Sequence, residues 1–157
     1  MSSTEPFTSE RAVEIIAAHA DQEGALLPVL HALQHAFGHI PDEAVPVIAG
    51  ALNLSRAEVH GVITFYHDFR REPAGRRVLK LCRAESCQAR GGDAIAARAE
   101  QRLGVSMGET TADRAVTLEP VYCLGLCASG PSAMLDERIV GRLSPERLDA
   151  LIAEARS

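Results

Sequence analysis

Val78-Leu79-Lys80-Leu81-Cys82-Arg83-Ala84-Glu85-Ser86-Cys87-Gln88-Ala89-Arg90-Gly91-Gly92-Asp93 sets the grammar of the second half of the chain. The aliphatic run Val78–Leu81 reads as a strand that ends at Cys82, and Gly91-Gly92-Asp93 opens a helix. That helix carries Ile95, Ala99 and Leu103 on one side and stops at Gly104. A second strand, Val116-Thr117-Leu118-Glu119-Pro120-Val121-Tyr122, runs into Cys123-Leu124-Gly125-Leu126-Cys127, with Pro120 marking an edge or a bulge. Ala133-Met134-Leu135 and Arg138-Ile139-Val140 form a hairpin turning at Asp136-Glu137. Ser144-Pro145-Glu146 then starts a helix that buries Leu148, Leu151, Ile152 and Ala155. The order β-α-β-β-β-α predicts a small α/β sandwich.

Cys82, Cys87, Cys123 and Cys127 are the only cysteines among 157 residues, spaced C-x4-C and C-x3-C. Both pairs fall just past predicted strand ends, where loops turn back and present thiolates to one point. Four readings compete. Four thiolates hold an iron–sulfur cluster, and C-x4-C occurs in plant-type ferredoxins. A structural zinc also takes four thiolates, although its knuckles favour C-x2-C turns. A dithiol oxidoreductase wants C-x-x-C, which is absent. Inert core cysteines explain one or two but fit matched pairs poorly. Spacing alone leaves these readings open.

The first half reads as helices throughout. Thr8 or Ser9 caps a helix with Val13, Ile16, Ala17 and Ala20 in register, broken by Gly24. A second helix places Leu26, Leu30, Leu33 and Phe37 on one face, with Pro28 in its first turn and Gly38 at its end. Asp42 opens a third, with Pro46 in the first turn and Val45, Ile48, Ala49 and Leu52 in register. Ser55-Arg56-Ala57-Glu58 is a capping box for a fourth, which carries Val59, Val62, Ile63 and Tyr66. Four short helices predict a small bundle over residues 1–73. The charged and Pro-Gly-containing Arg70–Gly75 marks the boundary to a second domain, residues 74–157. Arg70, Arg71, Arg76 and Arg77 read there as a solvated hinge.

Composition narrows the function. The hydrophobic fraction is 46% and the net charge −5, which suits a globular core and argues against nucleic acid as a partner. Met1–Pro6 shows no signal-like segment, and no apolar run approaches the roughly 20 residues a membrane span needs. The expectation is a cytoplasmic chain without membrane insertion, in which four cysteines favour a metal over disulfides. The six histidines, His19, His31, His35, His39, His60 and His67, all lie in the helical half. His31 and His35 share a face, yet no H-E-x-x-H-type motif completes a site, and all six read as exposed or interface residues. No catalytic Ser/His/Asp order, phosphate loop or Rossmann fingerprint is present. The chain is therefore expected to bind neither NAD nor flavin itself and to carry no catalytic residue.

The segments Leu81–Gly92 and Leu118–Cys127 resemble the thioredoxin-like [2Fe-2S] subunit of NADH:quinone oxidoreductases. Gly61-Val62-Ile63-Thr64-Phe65-Tyr66 and Gly141-Arg142-Leu143-Ser144-Pro145-Glu146 also look like that family. Within it, Cys82-Arg83-Ala84-Glu85-Ser86-Cys87-Gln88 looks most like the gamma subunit of soluble NAD-dependent formate dehydrogenases. The resemblance implies an α+β chain, a helical docking bundle followed by a thioredoxin-like domain. It implies a [2Fe-2S] cluster on Cys82, Cys87, Cys123 and Cys127. It also implies a hetero-oligomeric complex, with FMN and NAD on a flavin/NADH-binding subunit and molybdopterin on a formate dehydrogenase subunit. The equivalent subunit of NADH:quinone oxidoreductase or an NAD-linked hydrogenase is the alternative, and a zinc-stabilised interaction module is the alternative of another class. Gly125 is expected to let the backbone approach the cluster or to serve as an ordinary turn residue. Arg83, Arg90 and Glu85 read as solvated charge.

Overall fold

The structure is a computed structural model that describes residues 5–157. Residues 1–4, part of the stretch read above for a targeting signal, lie outside the described residues. Contacts divide the chain into two compact units, Met1–Pro73 and Ala74–Ser157. Among the described residues no helix is long and apolar enough to cross a membrane.

The first unit consists of α1 (Ser9–Ala17), α2 (Leu26–Phe37), α3 (Ala44–Leu52) and α4 (Arg56–Phe65). Thr8 caps α1, its hydroxyl accepting from Arg11 N at 3.2 Å. The buried face of α1 is Ala12, Ile15 and Ile16, whereas Val13 is 54% exposed. The face is thus rotated from the expected one: two isoleucines outweigh one valine, and the helix ends before Ala20 is reached. Gly24 lies in the following turn with a φ of 69°. The second helix buries Val29, Leu30, Leu33 and Phe37, and Gly38 closes it at a φ of 77°. The third starts at Ala44 without a side-chain cap. Asp42, expected at its start, instead takes both carboxylate oxygens to Arg71 Nη2 at 2.9 Å. On α4 the expected capping box forms.

Of the arginines expected in a solvated hinge, Arg76 is exposed, whereas Arg70, Arg71 and Arg77 make contacts within one unit or the other. Besides the Arg71–Asp42 pair, Arg70 N donates to Gln34 Oε1 at 2.7 Å, closing the end of the helical unit onto α2. Arg77 is the first residue of a strand and forms an ion pair with Asp136 at 2.6 Å, its N–H not aimed as a hydrogen bond.

The second unit contains β1 (Arg77–Cys82), α5 (Glu85–Ala89), α6 (Gly92–Leu103), β2 (Val116–Val121), a 3-10 turn (Cys127–Ser129), β3 (Ala133–Leu135), β4 (Arg138–Val140) and α7 (Pro145–Arg156). Its sheet has the order β2-β1-β3-β4. β1 and β2 are parallel, in register from Arg77↔Val116 to Cys82↔Val121. β3 is antiparallel to β1 and turns through Asp136-Glu137 into β4. Pro120 lies on β2, at one edge of the sheet, where a residue without an N–H is tolerated. The in-register residues Leu79, Leu118 and Leu135 face a core shared with Ile95, Ala99 and Leu103 of α6 and Leu148, Leu151 and Ile152 of α7. Period-2 alternation sends Lys80, Glu119, Met134 and Ile139 to the other face.

Candidate functional site

Parallel register positions the site. Because Cys82 pairs with Val121, the ends of β1 and β2 stand side by side, and the chain leaving β2 reaches Cys123 next to Cys82. Arg83 N donates to Val121 O at 2.8 Å and continues that pairing one residue further. Cys87 lies in α5, a single helical turn rather than the loop expected from the spacing. Cys127 begins the 3-10 turn, and its carbonyl accepts from Ser86 Oγ at 3.1 Å, tying the second cysteine loop to α5.

The two pairs differ in setting. Cys82 and Cys87 are buried, while Cys123 and Cys127 are exposed. The Cys123 and Cys127 sulfurs are 3.6 Å apart. Burial pushes the Cys82 thiol up, but hydrogen bonds outweigh it: the N–H of Ala84, the Cys87 thiol, and the N–H groups of Cys123 and Leu124 all donate to this sulfur, and its pKa falls below the ordinary thiol value. Cys127 shifts the other way, first because of its hydrogen-bonded contact with the Cys123 sulfur.

Donors reach the sulfurs because of the loop's path. Cys123 has a φ of 89°, a left-handed conformation costly for a residue with a Cβ, and Gly125 follows at 77°. Successive N–H groups thereby turn inward, and Gly125 N comes within 3.4 Å of Cys123 Sγ. An added Cβ at Gly125 meets nothing within 4 Å, so its φ is what the chain requires there of a glycine.

Close approach to Cys87 needs glycine at two places. A Cβ at Gly92 would stand 2.6 Å from Cys87 O, and one at Gly130 would stand 3.1 Å from Cys87 Sγ. Ser132, buried, has its hydroxyl 3.5 Å from Cys87 Sγ, and its carbonyl accepts from Cys82 N at 3.0 Å. No sequence pattern singles out Gly130 or Ser132. Their only signal is position, a Gly-Pro-Ser segment shortly after the last cysteine.

Family membership follows from a match to the profile of the thioredoxin-like [2Fe-2S] ferredoxins over residues 12–156. The chain belongs to that family. It is 37% identical over 152 residues to the second E-type subunit of NADH-quinone oxidoreductase from Rhizobium meliloti, covering 96% of this chain and 90% of the relative. It is 30% identical over 142 residues to the NADP-reducing hydrogenase subunit HndA of Solidesulfovibrio fructosivorans, covering 90% and 83%. Among solved structures, an NAD+-reducing [NiFe]-hydrogenase in the H2-reduced state matches with a TM-score of 0.69 and 26% identity. That match covers 81% of this chain but only 22% of the hydrogenase chain.

The sulfurs of this family member fit a cluster. Two thiolates on one tetrahedral metal, with bonds of about 2.3 Å, stand ~3.8 Å apart, close to the 3.6 Å between Cys123 and Cys127. Among the described residues no three His, Cys, Asp or Glu side chains gather around one point as a single-ion site. The thiols come as two pairs, linked by the N–H groups that Cys123 and Leu124 direct to Cys82.

Other sequence candidates lie elsewhere. Arg83 is half-buried and bridges to Asp93 at 3.0 Å, so it is not the solvated charge expected, while Arg90 and Glu85 are exposed. The histidines belong to the helical unit: the His31 ring packs 4.9 Å from that of Phe69, His39 Nδ1 lies 3.1 Å from Phe37 O, and His35, His60 and His67 are exposed.

Proposed function

We propose that the chain is the electron-transfer subunit of an NAD-linked oxidoreductase complex, holding a [2Fe-2S] cluster with Cys82, Cys87, Cys123 and Cys127. The observation that carries this reading is the two-pair arrangement of the sulfurs, which suits a centre of two irons with two thiolates on each. Such a cluster supplies reversible one-electron transfer when bound. The residues of the chain hold and shape the site. β1 and β2 set the two loops side by side, N–H donors favour the deprotonated Cys82 sulfur, and burial keeps water from Cys82 and Cys87. The exposed Cys123 and Cys127 give the centre an outward side toward which a partner's redox group can approach.

The finer reading is an NAD-dependent formate dehydrogenase of the cytoplasm, supported by the likeness of Cys82–Gln88 to the gamma subunit of those enzymes. Partner subunits then carry FMN, NAD and molybdopterin. The similarity to an NADH-quinone oxidoreductase subunit and to a hydrogenase subunit supports the equivalent place in one of those complexes as a second reading. The helical unit is read as the docking module, because Phe65, 73% exposed, and Tyr66 border a groove of about 540 Å3 lined also by Leu26, Leu54 and Val62.

Anaerobic purification with metal and sulfide analysis tests the core of this. The expected protein is coloured, carries iron and acid-labile sulfide, and gives a reduced-state EPR signal that Cys82→Ser and Cys123→Ser each alter. A colourless protein with stoichiometric zinc overturns the reading. NAD reduction by the native complex with formate, but not with hydrogen, supports the finer assignment; the reverse result replaces it.

A further inference from the structure

The sulfurs do not receive their hydrogen bonds from one kind of donor. Cys82 accepts from the N–H groups of Ala84, Cys123 and Leu124, and Cys123 accepts from that of Gly125. Any residue but proline supplies a backbone N–H, so these donors are fixed by the path of the loops and not by side-chain choice. Cys87 differs, because its sulfur lies 3.5 Å from a side-chain hydroxyl, that of Ser132. Both residues are buried, which keeps water from replacing the contact. The geometry is held from two sides. Ser132 O accepts from Cys82 N at 3.0 Å, and the lack of a Cβ at Gly130 lets segment 130–132 lie against Cys87.

As a thiol, Cys87 can either donate to Ser132 or accept from it. As a metal-bound thiolate it has no proton, and the serine O–H becomes the donor. A hydrogen bond donated to sulfur favours the more negative state, and reduction of an iron–sulfur centre adds one negative charge. We propose that Ser132 is the side-chain donor through which this sequence sets the reduction potential of the centre. It is a positioning residue that acts through Cys87, and the inference rests on the reading of Cys87 as a ligand. A purely structural serine, merely satisfied by the nearest acceptor, would affect folding and leave the potential unchanged.

The test uses the full chain loaded with cluster, in wild-type, Ser132→Ala and Ser132→Thr forms, titrated electrochemically with EPR detection. The alanine variant is expected to keep its full iron and sulfide. Its ratio of reduced to oxidised centre at a fixed applied potential should fall about three- to tenfold, as loss of one hydrogen bond to a charged group implies, tenfold being ~59 mV for a one-electron couple. Threonine should restore the wild-type ratio, and alanine should lose one exchangeable-deuteron coupling after transfer to D2O. An alanine variant with full iron and an unchanged ratio overturns the proposal, as does a threonine variant that shifts as far as alanine. A folded alanine variant that cannot take up the cluster overturns it too, since Ser132 would then serve assembly. A Cys87→Ser protein whose EPR spectrum matches wild type removes the ligand reading itself, which is a separate failure.

Discussion

Cys123 sits at a φ of 89°, a conformation whose cost is on the order of 1–3 kcal/mol for a residue with a side chain. The surroundings hold it there: its own N–H and that of Leu124 donate to Cys82, and Gly125 supplies a second left-handed residue. The strain therefore aims donors at sulfur. The same economy of space governs Gly92, where an added Cβ would stand 2.6 Å from Cys87 O, against backbone and with no flexible side chain to yield. Gly92→Ala is expected to lower the stability of the cluster-free protein by about 1–3 kcal/mol, as overpacking does. Urea unfolding of both proteins measures it, and an unchanged midpoint would mean that α5 shifts without cost. The four cysteines are legible in the sequence because their residue type carries the chemistry and their spacing is local. Gly92 is legible only as a helix start, and Ser132 not at all. Their roles come from chain segments that are remote in sequence and meet only after the sheet has formed.

Elements are legible wherever a terminus is coded within four residues. Thr8, Ser55 with Glu58, and Ser144 with Pro145 each start the helix they are expected to start. α7 buries the four residues its pattern selects. Legibility fails where a competing partner or a short length intervenes. Asp42 looks like a cap, but an arginine 29 positions on captures its carboxylate. α5 is five residues long, too short to show a period, so its sequence reads as loop. The capping box of α4 gives a prediction with a definite sign. The Glu58 carboxyl lies below its usual range, first because Ser55 N–H donates to it and next because the Ser55 hydroxyl does, with burial a lesser opposing effect. A depressed folded value means that its contribution is complete above the unfolded value of about 4.3 and is lost as pH falls through the folded one. Ser55→Ala should therefore cost ~1 kcal/mol at pH 7. Glu58→Gln should be less stable than wild type at pH 7, and that difference should shrink below about pH 4. Thermal unfolding of the cluster-free proteins at both pH values checks this. A Glu58→Gln deficit that is constant with pH would assign the effect to packing.

On the scale of the whole molecule, two hydrophobic cores share no residue. One is built around Leu30, Leu33 and Ile48 of the helical unit, the other around Leu79, Leu118 and Leu148. Every cysteine, and every donor to a cysteine sulfur described above, belongs to Ala74–Ser157. The helical unit contributes no thiol, yet it exposes Phe65 and Tyr66 side by side, their rings 5.1 Å apart, and large apolar surface of this kind marks contact sites. If the division of labour follows the division of the cores, cluster binding and partner binding are separable. A chain reduced to residues 74–157 should still take up iron and sulfide in equal amounts after anaerobic reconstitution. Expressed with the native partner subunits, it should recover at least tenfold less of them than the full chain does, because the loss of one anchored interface of about 1.4 kcal/mol or more has that effect. Phe65→Asp in the full chain separates docking from folding: it should reduce partner recovery while leaving helix content and cluster content unchanged. Recovery of the complex at full yield by residues 74–157 would place the docking surface beside the cysteines and leave the helical unit without that role. Loss of cluster uptake by the shortened chain would instead show that the second core needs the first in order to fold.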